Sequence, residues 1–256
     1  WGRYRNGRAS QPLTAGIDAF STYDFLRFSP FGNAPPPLAE LGHTINWVVP
    51  DMGIGSGGHL NIFRLIMHLE KRGYVCRVVI VGHTHFNTAE EAHKVIREHF
   101  FPIEAEVSIG ERSLKPAAIT VATSWITAYQ VRNFQSTHYR CYFVQDYEPY
   151  FHAHGSDYCF AEATYRMGFM GITAGQWLAD KLKTEYGMQT TAMGFSYDHD
   201  LYRPLPRRNP STRHIFFYAR PVTPRRGFEL GLLTLNLVAQ QMPDIAFILA
   251  GWDASA

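Results

Sequence analysis

Short apolar runs alternate with amphipathic stretches along most of the chain. Six runs have the length of a buried strand and lie before residue 200: TINWVVP, VCRVVIVG, AAITVAT, YRCYFVQ, MGITAG and MQTTAMGF. The stretches between them repeat apolar residues at helical spacing: HLNIFRLIMHLEKRG, TAEEAHKVIREHF, WITAYQVRNF, FAEATYRMGF and QWLADKLKTEYG. This alternation predicts an α/β fold in which helices cover both faces of a parallel sheet.

A second α/β unit is predicted after a break near residue 202. The segment 202–213, YRPLPRRNPSTR, holds three prolines and four arginines and is predicted to be a linker. The alternation resumes with a strand, a helix and a strand: HIFFYA, FELGLLTLNLVAQQM and DIAFILAG. We expect a first Rossmann-like domain over 42–201 and the start of a second over 214–256. Both chain ends resemble cuts, so we expect a fragment whose second domain is truncated.

The first 41 residues, 1–41, are predicted to form an irregular N-terminal extension. WGRYRNGR carries three arginines, and NAPPPLAE carries three consecutive prolines, which fit neither a helix interior nor a central strand. Two interpretations stay open. One is a basic arm that touches an acidic partner, and the other is a tail that packs on the domain or stays mobile.

Composition disfavours several classes of partner. The 256 residues carry a net charge of only +2, so we expect no nucleic-acid partner. No apolar run approaches the roughly 20 residues of a membrane span. Cys76, Cys141 and Cys159 stand far apart and form no CxxC pair, which favours reduced thiols in a cytoplasmic protein.

A glycine-rich loop lies between the first predicted strand and the first helix. In DMGIGSGGHL, Gly53, Gly55 and Gly58 spell GxGxxG where dinucleotide-binding proteins carry it. Such a site also needs an acidic residue at the end of the second strand, but that strand ends in VVIVGHTHF. NAD is therefore disfavoured. The glycines serve either helix packing or a ligand of another kind, because a helix start offers free N–H groups to an anion.

Basic residues follow the first strand of the second unit. In FFYARPVTPRRGFEL, Arg220 comes just after the strand and Arg226 precedes a glycine at the helix start, with Arg225 able to replace Arg226. Planar, permanently charged guanidinium groups beside helix N–H groups suit a diphosphate. They would also stabilise the charge that develops on a diphosphate leaving group. A solvated basic loop is the alternative.

Taken together, these features resemble the GT-B glycosyltransferases. Within that superfamily the chain resembles retaining family-four enzymes, and most of all bacterial rhamnosyltransferases of the rhamnan-synthesis, WsaF-like group. The resemblance covers about residue 43 to the end and is carried by GSGGHLNIFRL, QDYEPYF, AEATYRMGF and FFYARPVTPRRGFELG. The chain departs from the family pattern at Met193, where an asparagine is usual, and at Ser124, where a histidine is frequent.

The resemblance implies a two-domain GT-B architecture and a sugar-transfer reaction. It implies transfer with retention from a nucleotide sugar, best matched by dTDP-L-rhamnose, to a growing surface polysaccharide or a lipid-linked glycan. It implies no metal and no other cofactor, with the donor on the second domain and the acceptor on the first. Peripheral contact with the inner face of the membrane and a homodimer both stay open. We expect the fragment alone to be inactive.

Site residues follow from the same resemblance. It implies that Gly57 and Gly58 face the diphosphate, together with Arg220, Arg225 and Arg226. It implies that His59 faces the sugar in the cleft.

The end of the strand YRCYFVQ supplies two candidate catalytic carboxylates. Ligands of parallel sheets bind beyond the carboxyl ends of the strands, where Asp146, Tyr147 and Glu148 follow. We expect Asp146, with Glu148 beside it, to orient the acceptor hydroxyl or to accept its proton, and Tyr147 to line the sugar cleft. The alternative is that either carboxylate caps the next turn or helix.

Two histidine pairs have the look of metal ligands. HTHF and HAH each lack a nearby third ligand, so we expect ordinary loop histidines and no metal. His83, which follows a strand at the cleft side, is a candidate sugar contact.

Three functions therefore compete. The favoured one is a glycosyltransferase. The alternatives are a catalytically inactive GT-B domain that binds glycan or a partner enzyme and, less favoured, an NAD-dependent oxidoreductase.

Overall fold

The computed structural model describes residues 23–194, 197–206, 213–221 and 223–251. The chain divides into two compact units, Trp1–Phe195 and Ser196–Ala256. The arginines of WGRYRNGR and half of the predicted linker, 207–212, lie outside the described residues.

The first unit is an α/β unit built on a seven-stranded parallel sheet. Its strands are β1 Thr44–Val49, β2 Val75–Ile80, β3 Glu106–Ile109, β4 Ala117–Ala122, β5 Thr137–Val144, β6 Met170–Ala174 and β7 Thr190–Met193. Its helices are α1 Leu38–Leu41, α2 Gly57–Glu70, α3 Ala89–His99, α4 Trp125–Asn133, α5 Ser156–Ala163 and α6 Gln176–Tyr186.

The strand order is β3-β2-β1-β4-β5-β6-β7, which is Rossmann-like. The chain moves outward from β1 to β3, returns to the other side of β1 and moves outward again to β7. Val48 of β1 is paired with Val79 of β2 on one side and Ala122 of β4 on the other. The direction of the chain therefore reverses between β1 and β4, and a crevice is expected at their carboxyl ends.

Two apolar layers hold helices against the sheet. Ile62, Phe63 and Ile66 of α2 pack with residues of one sheet face. Ala128 of α4 and Leu182 of α6 pack in a second cluster with residues of the other face. Side chains that alternate along each strand supply both layers, as the helix–strand alternation of the sequence predicts.

Helix starts follow local capping chemistry. The Thr88 hydroxyl accepts a hydrogen bond from the Glu91 N–H at the start of α3, as the sequence predicts. Ser56 caps α2, and Ser124 caps α4. At its other end α6 stops at Gly187, whose φ of +69° is a conformation that favours glycine.

The structure corrects two details of the predicted elements. The strand β3 was not predicted from EVSI because Val107 is its only buried residue. The helix predicted over FAEATYRMGF begins four residues earlier, at Ser156, and gives way to a 3-10 turn at Thr164–Arg166.

The described part of the N-terminal segment packs on α4. Phe25 makes edge contacts with the rings of Trp125 and Tyr129. The N–H of Phe31 donates to the carbonyl of Asn133 at 3.0 Å. From residue 24 onward this segment is thus part of the packed unit.

The second unit contains β8 His214–Ala219, α7 Phe228–Gln241 and β9 Ala246–Gly251, with β8 and β9 paired in parallel. Gly231 lets α7 approach the sheet, because a Cβ at this position would lie 2.2 Å from the ring of Phe217. The predicted strand, helix and strand are all present.

Candidate functional site

A cleft of about 180 Å³ opens at the carboxyl ends of β1, β4 and β5, where the strand order reverses. We call it the switch-point cleft. It is lined by Pro50, Ser56, Gly58, His59, Ile62, Thr123, Ser124, Gln145, Asp146, Glu148 and Phe151. Of the residues predicted for the site, the cleft brings together Gly58, His59, Asp146 and Glu148. The described lining contains two carboxyl groups and neither lysine nor arginine.

His59 ties the start of α2 to the end of β1. Its Nδ1 lies 2.9 Å from the hydroxyl of Ser56 and its Nε2 lies 3.4 Å from the carbonyl of Pro50. Since a carbonyl only accepts, Nε2 carries the proton and Nδ1 accepts from Ser56. Burial lowers the pKa of His59, against the opposing effects of the Pro50 carbonyl and of Asp51. The imidazole is therefore a neutral structural tie on the wall of the cleft.

The glycines of the loop have different structural reasons. Gly55 has a φ of +84°, which side-chain-bearing residues rarely adopt. Gly58 lies against β5, since a Cβ there would be 3.4 Å from Nε2 of Gln145. Gly53 and Gly57 meet no such neighbour within 4 Å. Two of the three glycines in the GxGxxG pattern, Gly55 and Gly58, therefore have a conformational or steric reason to be glycine. Gly57, which is the first residue of α2, has no such reason.

Gln145 bridges the two walls of the cleft. Its Nε2 donates to the carbonyl of Gly58 at 3.1 Å, and its Oε1 accepts from Nδ2 of Asn61 at 3.1 Å. Both ends of the amide are used, which fixes its orientation. The bridge holds α2 against the end of β5.

Glu148 is a buried carboxyl at the inner end of the cleft, only 5% exposed. It accepts hydrogen bonds from the Trp125 N–H at 2.8 Å and from the Tyr142 hydroxyl at 2.6 Å. Burial raises the pKa of Glu148 to about 7; these two donors oppose the rise and Asp146 adds to it. The carboxyl can therefore gain or lose a proton near neutral pH.

The two carboxylates differ in environment. Asp146 accepts a hydrogen bond from the N–H of the next residue, Tyr147, at 2.8 Å, whereas Glu148 caps the first turn of α4. The helix that Glu148 caps precedes it in the chain, whereas the capping alternative predicted a cap on the next turn or helix. Capping does not remove it from the cleft, since it still forms part of the lining.

Tyr147 and His83 lie away from the cleft lining. Tyr147 is 2% exposed, and its ring packs on Tyr165 and Tyr186 in the core. Its hydroxyl is hydrogen-bonded to that of Tyr186, and burial raises its pKa. His83 is exposed in the loop after β2.

The loop after β2 is held by Asp51. Its carboxylate accepts hydrogen bonds from the hydroxyl of Thr84 at 2.6 Å and from Nδ1 of His85 at 2.9 Å. Burial alone would raise the pKa of Asp51, but these two partners outweigh it and lower the pKa. Within the described residues, no group of three or more histidine, cysteine, aspartate or glutamate side chains could hold a metal ion.

In the second unit, three arginines lie in the loop between β8 and α7. Arg220 follows β8 and is half-buried; its Nη1 donates to the hydroxyl of Tyr218 at 3.3 Å. Its Nε is buried and has no hydrogen-bond partner among the described residues. Arg225 and Arg226 are exposed on the 3-10 turn that precedes Gly227. Since glycine has no side chain, α7 starts without a side-chain cap.

The chain is similar to the O-antigen biosynthesis protein RfbC of Myxococcus xanthus. The two are 33% identical over 268 aligned positions, which take in 98% of this chain and 21% of RfbC. The chain thus spans about a fifth of the length of that relative. No protein-family model matches the sequence.

No helix in the described ranges has both the length and the apolar character needed to span a membrane.

Several lining residues were not predicted as site residues. Thr123 and Ser124 follow β4, and the rule that pointed to the end of β5 would have found them too. Ser56 could have been identified as a helix N-cap, because serine often stands just before the first turn of a helix. No feature of the sequence distinguished Phe151 from the other aromatic residues of YRCYFVQDYEPYF.

Proposed function

We propose that this chain is part of a glycosyltransferase that acts in the synthesis of a bacterial cell-surface polysaccharide. The observation that carries the proposal is the similarity to RfbC along 98% of the chain. That protein's name refers to O-antigen biosynthesis, and O-antigens are polysaccharides. The geometry of both units is compatible with sugar transfer.

The switch-point cleft is our candidate for the acceptor site. A diphosphate would meet two carboxyl groups there and no cation in the described lining, which is unfavourable. A neutral glycan would instead meet hydroxyl and carboxyl groups that can accept or donate hydrogen bonds. The acceptor domain in this proposal is 42–201.

The loop after β8 is our candidate for the donor diphosphate site. Arg220 offers a buried Nε without a hydrogen-bond partner among the described residues, and Arg225 and Arg226 add charge at a helix start. Guanidinium groups bind phosphate oxygens in pairs, and helix N–H groups favour an anion. The donor domain in this proposal begins at 214.

Glu148 is the candidate proton carrier. With a pKa of about 7 it can accept a proton from an acceptor hydroxyl and release it again at neutral pH. Asp146, next to it on the lining, is the candidate for orienting that hydroxyl. His59 orients the cleft wall, because both of its nitrogens are used within the protein.

We further propose the finer assignment that the sequence resemblance implies. It is a GT-B enzyme that transfers L-rhamnose from dTDP-rhamnose with retention and without a metal. The acceptor is a polysaccharide or lipid-linked glycan at the inner face of the cell membrane. The alternatives are an inactive glycan- or partner-binding domain and an NAD-dependent oxidoreductase, and the second needs a carboxylate that 75–88 lacks.

Donor binding measured by calorimetry tests the proposal. The protein is titrated with dTDP, dTDP-rhamnose, UDP-glucose and NAD. We expect dTDP-rhamnose to bind and Arg220→Ala to weaken it by about 1.5–3 kcal/mol, the usual worth of a hydrogen bond to a charged group. Arg213→Ala, which removes an arginine paired with Asp244 at the other end of β8, is the matched control and should bind normally. The assignment would be refuted if NAD binds and Arg220→Ala leaves its affinity unchanged.

A further inference from the structure

Phe151 is an exposed aromatic ring in the lining of the switch-point cleft, which also contains several hydrogen-bonding side chains. It is 45% exposed and forms part of the lining with Ser124, Gln145 and Asp146. An exposed phenylalanine by itself needs no explanation. Phe151, however, lies beside hydrogen-bonding groups at the switch point of the sheet, and this position needs an explanation.

The backbone holds this ring on a short, constrained turn. Glu148–Phe151 forms a 3-10 turn in which Pro149 fixes one φ angle. The N–H of His152 closes the turn by donating to the carbonyl of Pro149 at 3.2 Å. Since Glu148 at the start of the turn is bonded to α4, the ring is carried by an anchored segment.

The neighbouring residue Tyr150 shows that the orientation is specific. Tyr150 is 53% exposed, but its ring packs on Tyr147 with centroids 4.6 Å apart, and it does not contribute to the cleft lining. The two consecutive aromatic residues therefore point to different surroundings. Only Phe151 of the pair is placed to meet a ligand in the cleft.

We propose that Phe151 is the platform on which one pyranose ring of a neutral glycan acceptor stacks. A pyranose has an apolar C–H face and a rim of hydroxyl groups. The C–H face suits the phenyl ring, and the rim suits Ser124 and Asp146. This inference rests on the proposed function and deepens it, because it identifies a specificity-determining residue for the acceptor.

The test uses an L-rhamnose trisaccharide as the glycan probe and dTDP as a separate donor-side probe. Saturation-transfer NMR and titration are run on the wild-type protein, Phe151→Ala, Phe151→Trp and the matched control Tyr150→Ala. Loss of one stacking contact should weaken trisaccharide binding about tenfold. We expect Phe151→Trp to retain binding and Tyr150→Ala to match the wild type. The saturation of ring C–H protons should fall in Phe151→Ala.

The results separate this inference from the proposed function. Three results would overturn the platform proposal. They are unchanged trisaccharide binding by Phe151→Ala, an equal loss of trisaccharide binding in Tyr150→Ala, and no trisaccharide binding by the wild type. If dTDP binds normally in that case, the donor assignment stands. If dTDP fails to bind while the trisaccharide depends on Phe151, the platform stands and the transferase assignment falls.

Discussion

Replacing Glu148 by glutamine should change how the stability of the first unit depends on pH. Burial raises the pKa of this carboxyl from 4.5 to about 7 in the folded state. At about 1.4 kcal/mol for each pH unit, the rise corresponds to about 3 kcal/mol. The glutamine side chain would keep an oxygen for the Trp125 N–H, so the α4 cap survives while the ionisation disappears.

The direction of the effect follows from which state releases the proton first. Below about pH 4.5 the carboxyl is protonated in both states. Between about pH 4.5 and 7 the unfolded chain ionises while the folded protein does not, so the free energy of unfolding falls as the pH rises. The full cost of burying the charge is present above about pH 7. Asp146, whose charge adds to the rise, must stay in place in both proteins.

Urea unfolding measures this prediction. The free energy of unfolding is determined at several pH values from 4.5 to 7.5 for wild type and Glu148→Gln, with tryptophan fluorescence as the probe. The variant should gain about 3 kcal/mol relative to wild type across this range. Glu104→Gln, which alters a 77% exposed side chain paired with Arg97, is the control and should change little. A difference between wild type and Glu148→Gln that does not vary with pH would refute the reasoning.

Two further predictions concern the glycine loop and the thiols. Gly55→Ala should destabilise the first unit by about 1 kcal/mol, because φ is +84° there, whereas Gly57→Ala should not; thermal unfolding compares them, and equal effects would contradict the conformational argument. Cys159 is exposed, while burial raises the pKa of both the Cys76 and Cys141 thiols to about 11. Iodoacetamide at pH 8 should therefore label Cys159 first, as read by mass spectrometry, and early labelling of the other two would disprove their protection.

The alternation of strands and helices could be predicted because buried strands of a parallel sheet are continuous apolar runs. TINWVVP and AAITVAT carry that signal, and both are strands. EVSI carries almost none, since an edge strand buries little and only Val107 is enclosed. The start of α5 was predicted four residues too late, because its first turn from Ser156 is polar and the apolar spacing begins only at Phe160.

The site was partly predictable for a geometric reason. The carboxyl ends of parallel strands meet at one edge, so Asp146, Glu148 and the glycine loop could be grouped from order alone. Contacts across long separations could not be read in the same way. The Trp125 N–H that donates to Glu148 lies 23 residues earlier in the chain. The pKa of Glu148 is raised because the effect of burial outweighs the opposing effect of this hydrogen bond. Tyr147 shares the strand end but faces the core.

The amide of Gln145 has a consequence for ligand recognition. Because it bonds Gly58 and Asn61 at once, α2 and the end of β5 cannot separate without breaking two hydrogen bonds. The walls of the cleft are in this sense assembled in advance. A ligand that enters would lose little entropy in ordering them, so its affinity would reflect shape and hydrogen bonding more than loop closure. A pocket held in this way selects ligands by their fit to a fixed shape, because it cannot adapt to a poorly fitting ligand without losing these hydrogen bonds.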